Sequence, residues 1–144
     1  MSDIKYQISV AAPGWKKILP EYKKIIENAL AEIPGKGEVS ILLTNDEEIR
    51  SLNKKFRGKD NATNVLSFPQ DETGMLGDIA LALETLEREA GEQEKSFSDH
   101  FTHLFVHGVL HLMSYDHETD AEQNEMEALE VKILKQLGIS NPYK

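Results

Sequence analysis

Residues 104–113 read Leu-Phe-Val-His-Gly-Val-Leu-His-Leu-Met, apolar in almost every direction around a helix except at His107, Gly108 and His111. A helix with no polar face must be buried on all sides, so the rest of a short chain has to wrap it. This predicts a central helix over residues 98–113. His107 and His111 stand one turn apart and leave the same helix face. A third histidine, His117, follows six residues later, past an expected chain reversal that could bring it back beneath the pair.

The bland reading is three core histidines satisfied by backbone groups. A buried imidazole needs partners. Two on one face compete for the same few unless a cation sits between them. Three imidazoles with an open fourth position is the ligand count of a catalytic zinc site, whereas structural zinc sites close with four. His103 and His107 are also four apart, so spacing alone leaves two pairings open. His111 is better placed than His103 to share a metal with His117. His103 is then a packing residue or one that orients a ligand from behind, and His100 is read as a surface residue. The spacing also equals that of the long zinc-protease pattern H-E-x-x-H-x-x-G-x-x-H. Here the general-base glutamate is replaced by Gly108 and the turn glycine by Ser114. Without that glutamate the usual peptide hydrolysis loses its base. A site with no ligand carboxylate leaves the zinc its full double charge, which suits an anionic substrate such as a phosphodiester.

The chain has no cysteine, so it has no disulfide partner, and any metal must use His, Asp or Glu. No apolar signal region opens it and no apolar run reaches membrane-spanning length. These features fit a cytoplasmic protein that does not contact membranes. The net charge of −9 argues against nucleic acid. The charge is uneven, however. Arg50, Lys54, Lys55, Arg57 and Lys59 fall in ten residues without an acid, whereas acids dominate residues 84–130. Such sign asymmetry matters more than the sum.

Ile4, Tyr6, Ile8 and Val10 alternate as in a strand with one buried face. Residues 15–33 carry helical spacing interrupted by Pro20, either at a helix start or at a kink. Further strands are expected at 39–43, 64–68 and 76–83, with a turn at 71–74. A helix opens with a capping box at Thr44-Asn45-Asp46-Glu47. Its core face is Ile49, Leu52 and Phe56, and a polar loop runs over 56–61. Another helix covers 84–90, and residues 91–95 read as a loop. The box at Thr119-Asp120-Ala121-Glu122 opens the last helix, which buries Met126, Leu129, Ile133, Leu134 and Leu137 and is capped by Gly138. The order predicts one α+β domain over residues 1–144. It comprises a mixed sheet of about four strands packed with about five helices around the histidine helix.

Three segments then point to one family. H-G-x-L-H-L-x-G-Y-D-H appears at residues 107–117 with Ser114 for its glycine. N-x-x-[FY]-R-x-K-D-x-x-T-D-V-L-S-F-P appears at 53–69 with Asn64 for an aspartate. L-G-D-I appears at 76–79. The chain resembles the YbeY family, bacterial rRNA maturation factors with endoribonuclease activity. The resemblance implies a zincin-like fold and one Zn²⁺ per chain on His107, His111 and His117. It implies a part for Arg57 in RNA cleavage. It also implies action on the 3′ end of small-subunit rRNA and in ribosome quality control, with the small ribosomal subunit or assembly factors as partners. On that basis His107 and Arg57 are the catalytic candidates, since Arg57's planar fork suits a phosphate. Arg50, Lys54, Lys55 and Lys59 would hold the RNA backbone. Asp78 could orient a ligand histidine, and Asp116 belongs to the turn. Two rival readings are a zinc-dependent peptidase or amidohydrolase, disfavoured by Gly108, and a non-catalytic RNA-binding assembly factor whose metal holds the fold.

Overall fold

The computed structural model describes residues 2–70, 74–113 and 119–143. Its elements run β1 (Ser2–Val10), α1 (Gly14–Ile18), α2 (Tyr22–Glu32), β2 (Gly35–Thr44), α3 (Asp46–Arg57), β3 (Val65–Pro69), β4 (Met75–Ala82), α4 (Leu83–Glu92), α5 (Phe97–Leu112) and α6 (Asp120–Gln136). The four strands form one mixed sheet in the order β1-β2-β4-β3. β1, β2 and β4 are parallel. β3 runs antiparallel to β4 and forms an edge. The expected α+β architecture is therefore present. The sixth helix is the five-residue α1.

Strand parity assigns the two faces of the sheet. Val39, Ile41, Leu43, Ile79 and Leu81 join the main core with the partly buried β1 residues Ile4, Tyr6, Ile8 and Val10. The residues between them turn the other way. Leu66, Ala80 and Ala82 pack with Ile49 of α3, joined by the partly buried Leu42, Leu52 and Phe68. Thus α5 lies against the main face, and α3 covers only part of the other.

Helix α5 is central, as its composition demands. It packs on β3, β4, α2, α4 and α6. Its buried Phe101, Phe105, Val106, Val109 and Leu110 each contribute roughly 1.5–3 kcal/mol by leaving water. Trp15 meets Phe97 and Phe101 edge-on, with ring centroids 5.6 and 5.5 Å away. Its indole N–H donates to the Thr44 carbonyl at 2.8 Å.

Pro20 divides the first helical stretch in two. Leu19, just before it, leaves helical geometry with φ −135° and ψ 68°, as a pre-proline residue prefers. The helix resumes at Tyr22. Asn45, not Thr44, caps α3 by accepting from the Glu48 N–H. Thr119 caps α6 from the Glu122 N–H at 3.1 Å. Gly138 takes φ 82° beyond α6, the left-handed stop expected of it. Helix α4 continues two residues beyond its expected end. The expected turn at 71–74 lies largely outside the described residues. No described helix is long and apolar enough to cross a membrane.

Candidate metal centre and catalytic site

Between Phe101 and Leu112, only His103, His107 and His111 escape full burial. They stand four residues apart and form a single stripe on an otherwise enclosed helix. Nε2 of His107 and Nε2 of His111 approach to 3.0 Å. Two tetrahedral ligands about 2.05 Å from one zinc stand about 3.3 Å apart. The pair therefore needs to open by only a few tenths of an ångström to grip an ion.

A carboxylate fixes the pair from behind. Glu130 of α6 is fully buried, and its Oε1 accepts from Nδ1 of His107 at 2.6 Å. With Nδ1 protonated, a neutral His107 presents the Nε2 lone pair toward His111, the tautomer a metal ligand needs. The other oxygen of Glu130 accepts from Nε2 of His103 at 3.2 Å and from the Tyr143 hydroxyl at 2.6 Å. Burial pushes the Glu130 carboxyl upward. The hydrogen bonds from His103, His107 and the Tyr143 hydroxyl outweigh it and hold the group at about 2. Burial, then the bond to Glu130 and its charge, push the Tyr143 phenol well up.

Glu130 and Tyr143 are absent from the reading of the sequence. Glu130 left a signal there. It sits on the apolar stripe of α6 with Met126, Ile133 and Leu134, where an unpaired carboxylate has no reason to be. Tyr143 left none.

Asp78 requires correction. It lies on the α3 face of β4, in phase with Ala80 and Ala82, and accepts from Gln70 Nε2 at 2.9 Å. Strand alternation turns it away from α5, and Glu130 stands where Asp78 was expected to act. His100 is corrected too. It is only 2% exposed, and its Nε2 meets Glu89 Oε1 at 2.9 Å. Asn64 donates to the same carboxylate at 3.1 Å, which the aspartate of the family pattern could not do while ionised. His117, Ser114 and Asp116 lie outside the described residues. Among the described residues no group of three metal-ligating side chains forms, so the His107–His111 pair is the described part of the expected centre.

Gly108 has a structural reason. A Cβ there would stand 3.2 Å from Ser67 Oγ and 3.4 Å from Val65 Cγ2, and Ser67 Oγ donates to the Gly108 carbonyl at 3.3 Å. The glycine lets α5 lie directly on edge strand β3. Any larger residue would press on Ser67 and Val65.

Arg57 ends α3, with Gly58 at φ 70° turning the chain behind it. Arg57, Lys54, Lys55 and Lys59 are all exposed at this end. Arg50 differs, because its guanidinium holds Asp60 at 2.7 and 3.3 Å. Phe56, expected in the core, is 59% exposed, with its ring edge-on to Phe68 at 5.5 Å. β3 thus links the two halves of the candidate site. Ser67 touches the histidine helix, and the next residue, Phe68, touches the neighbour of Arg57.

The family model described as Endoribonuclease YbeY matches residues 7–138. The chain belongs to the YbeY endoribonuclease family. Among relatives named Endoribonuclease YbeY, one from Rhizobium etli strain CIAT 652 is 56% identical over 163 residues, covering all of this chain and 95% of that protein. One from Bradyrhizobium sp. strain BTAi1 is 46% identical, covering 95% of this chain and 90% of its own length. The solution structure of TM1509 from Thermotoga maritima matches with TM-score 0.59 and 28% identity, over 98% of this chain and 99% of that one. YbeY membership fits the Gly108 seam, which disfavours a peptidase.

Proposed function

We propose that this YbeY-family chain is a zinc-dependent endoribonuclease that matures small-subunit rRNA at its 3′ end and takes part in ribosome quality control. The convergence of His107 and His111 in front of buried Glu130 carries the metal part of the reading. Family membership supplies the RNA part. His107, His111 and His117 would hold one Zn²⁺. When bound, the ion supplies Lewis acidity toward water or a phosphate oxygen.

The chain's own groups do the rest. Glu130 holds His107 in its metal-binding tautomer and braces His103. Arg57 receives the phosphate as charge develops on it. Lys54, Lys55 and Lys59 hold the RNA backbone without reading sequence. Arg50 joins them only by leaving Asp60, an exposed pair that is weakly held. A chain with net charge −9 gains little from general attraction to RNA, so recruitment by the small ribosomal subunit or its assembly factors, in the cytoplasm, completes the reading. His111→Ala should abolish stoichiometric zinc binding while the protein stays folded. Full zinc retention by elemental analysis would overturn the ligand assignment.

A further inference from the structure

The α3 face of the sheet carries a groove of about 490 Å³ that the metal site does not use. That volume lies within the roughly 300–1,000 Å³ of small-molecule clefts. Leu42, Ala80, Asp78 and Phe68 line it from the sheet, and Leu52 and Phe56 line it from α3. Phe56 presents most of its ring to solvent, with Lys55 Nζ 5.2 Å from its centroid. At the rim, the Gln70 amide donates to Asp78 Oδ2.

These features call for a flat, apolar ligand with a polar edge. A phosphate would be repelled by Asp78. A nucleobase offers a π face to Phe56 and amino or imino donors to Asp78. The cations that a nucleotide's phosphates need stand at the same end of α3, at Lys54, Lys55, Arg57 and Lys59. Ser67 and Phe68 are consecutive on edge strand β3, one against Gly108 beside His107 and the other in the groove. One strand's thickness therefore separates the groove from the histidine helix, and a single RNA strand rounding that edge reaches both.

We propose that this groove is a nucleobase subsite for single-stranded RNA, with Phe56 as the stacking platform and Asp78 with Gln70 meeting the base's hydrogen-bonding edge. It rests on the endoribonuclease reading and extends it to how substrate is held. The test uses full-length zinc-loaded protein and a 2′-O-methyl single-stranded oligoribonucleotide of mixed sequence carrying 4-thiouridine, which binds without being cut. Cross-links are expected on Phe56 and Phe68. Phe56→Ser should weaken binding about tenfold or more, the loss typical of a stacked base, with unchanged zinc content and circular dichroism. Phe56→Leu should weaken it similarly, and Phe56→Trp should restore it. With cleavable RNA, the Phe56→Ser loss should fall on KM rather than kcat. Asp78→Asn should alter preference among the four homopolymers.

Unchanged affinity in Phe56→Ser, or cross-links confined to α5, would overturn the proposal. So would equal losses for single-stranded and duplex RNA, or a dimer that Phe56→Ser dissociates without affecting RNA. These binding readouts are independent of turnover. A wild-type protein that binds this RNA in the groove but cuts none would defeat the endoribonuclease reading and leave the subsite standing.

Discussion

Glu130→Gln probes the centre most informatively, because it keeps shape and removes charge. Glu130 accepts from three donors: Nδ1 of His107 at 2.6 Å, Nε2 of His103 at 3.2 Å and the Tyr143 hydroxyl at 2.6 Å. A hydrogen bond to a charged group contributes about 1.5–3 kcal/mol. The glutamine keeps one carbonyl oxygen. If that oxygen faces His107, its NH₂ points at His103 and Tyr143, both of which were donating. The tyrosine hydroxyl can rotate to accept. His103 can change tautomer only by protonating Nδ1, which is buried and finds no partner among the described residues. The net destabilisation of the metal-free protein should be about 2–4 kcal/mol, read as a lower urea midpoint with unchanged m-value. Zinc affinity should fall about 10–100-fold in chelator competition, the usual effect of losing the group behind a ligand histidine. A variant as stable as wild type within about 0.5 kcal/mol, with equal zinc affinity, would show that Glu130 neither braces α5 nor orients His107.

The same carboxylate predicts a pH dependence. Its folded value of about 2 lies below the ordinary 4.5. Its contribution is present above about pH 4.5 and is lost as pH falls from there toward 2. Denaturant titrations of metal-free protein should show that loss in wild type and a flatter profile in Glu130→Gln. Gly108→Glu should destabilise by at least about 3 kcal/mol, since it drives a carboxylate into the α5–β3 seam; a near-native urea midpoint would contradict the close approach. Asn64→Asp should lose about 1 kcal/mol at neutral pH by setting a carboxylate against Glu89. A thermal melt indistinguishable from wild type would contradict that contact.

Patterns written in local chemistry were legible in the sequence. The alternation of Ile4, Tyr6, Ile8 and Val10, the Thr119 cap, the Gly138 stop and the all-round apolarity of α5 each specify their element without help from distant residues. Features decided by tertiary packing were less so. Residues 76–83 are apolar on both sides, so parity separated Asp78 from Ile79 and Leu81 without saying which side met the histidines. His100 reads as polar surface until α4 brings Glu89 to it. Phe56 fits the core stripe of α3, yet it meets Phe68 edge-on beside the groove and its ring stays exposed. Glu130 was visible as an anomaly on an apolar stripe. Its role required knowing that α6 lies along α5.

In the proposed reading Arg57 ties the histidine metal centre to RNA cleavage. The cleavage rate of small-subunit rRNA precursor with Arg57→Glu, beside wild type, on samples whose zinc content has been measured, probes that tie. Arg57 is exposed at the end of α3, so the variant should fold and carry one zinc per chain. Full zinc content with loss of cleavage is expected. Wild-type cleavage by a fully loaded Arg57→Glu protein would contradict it.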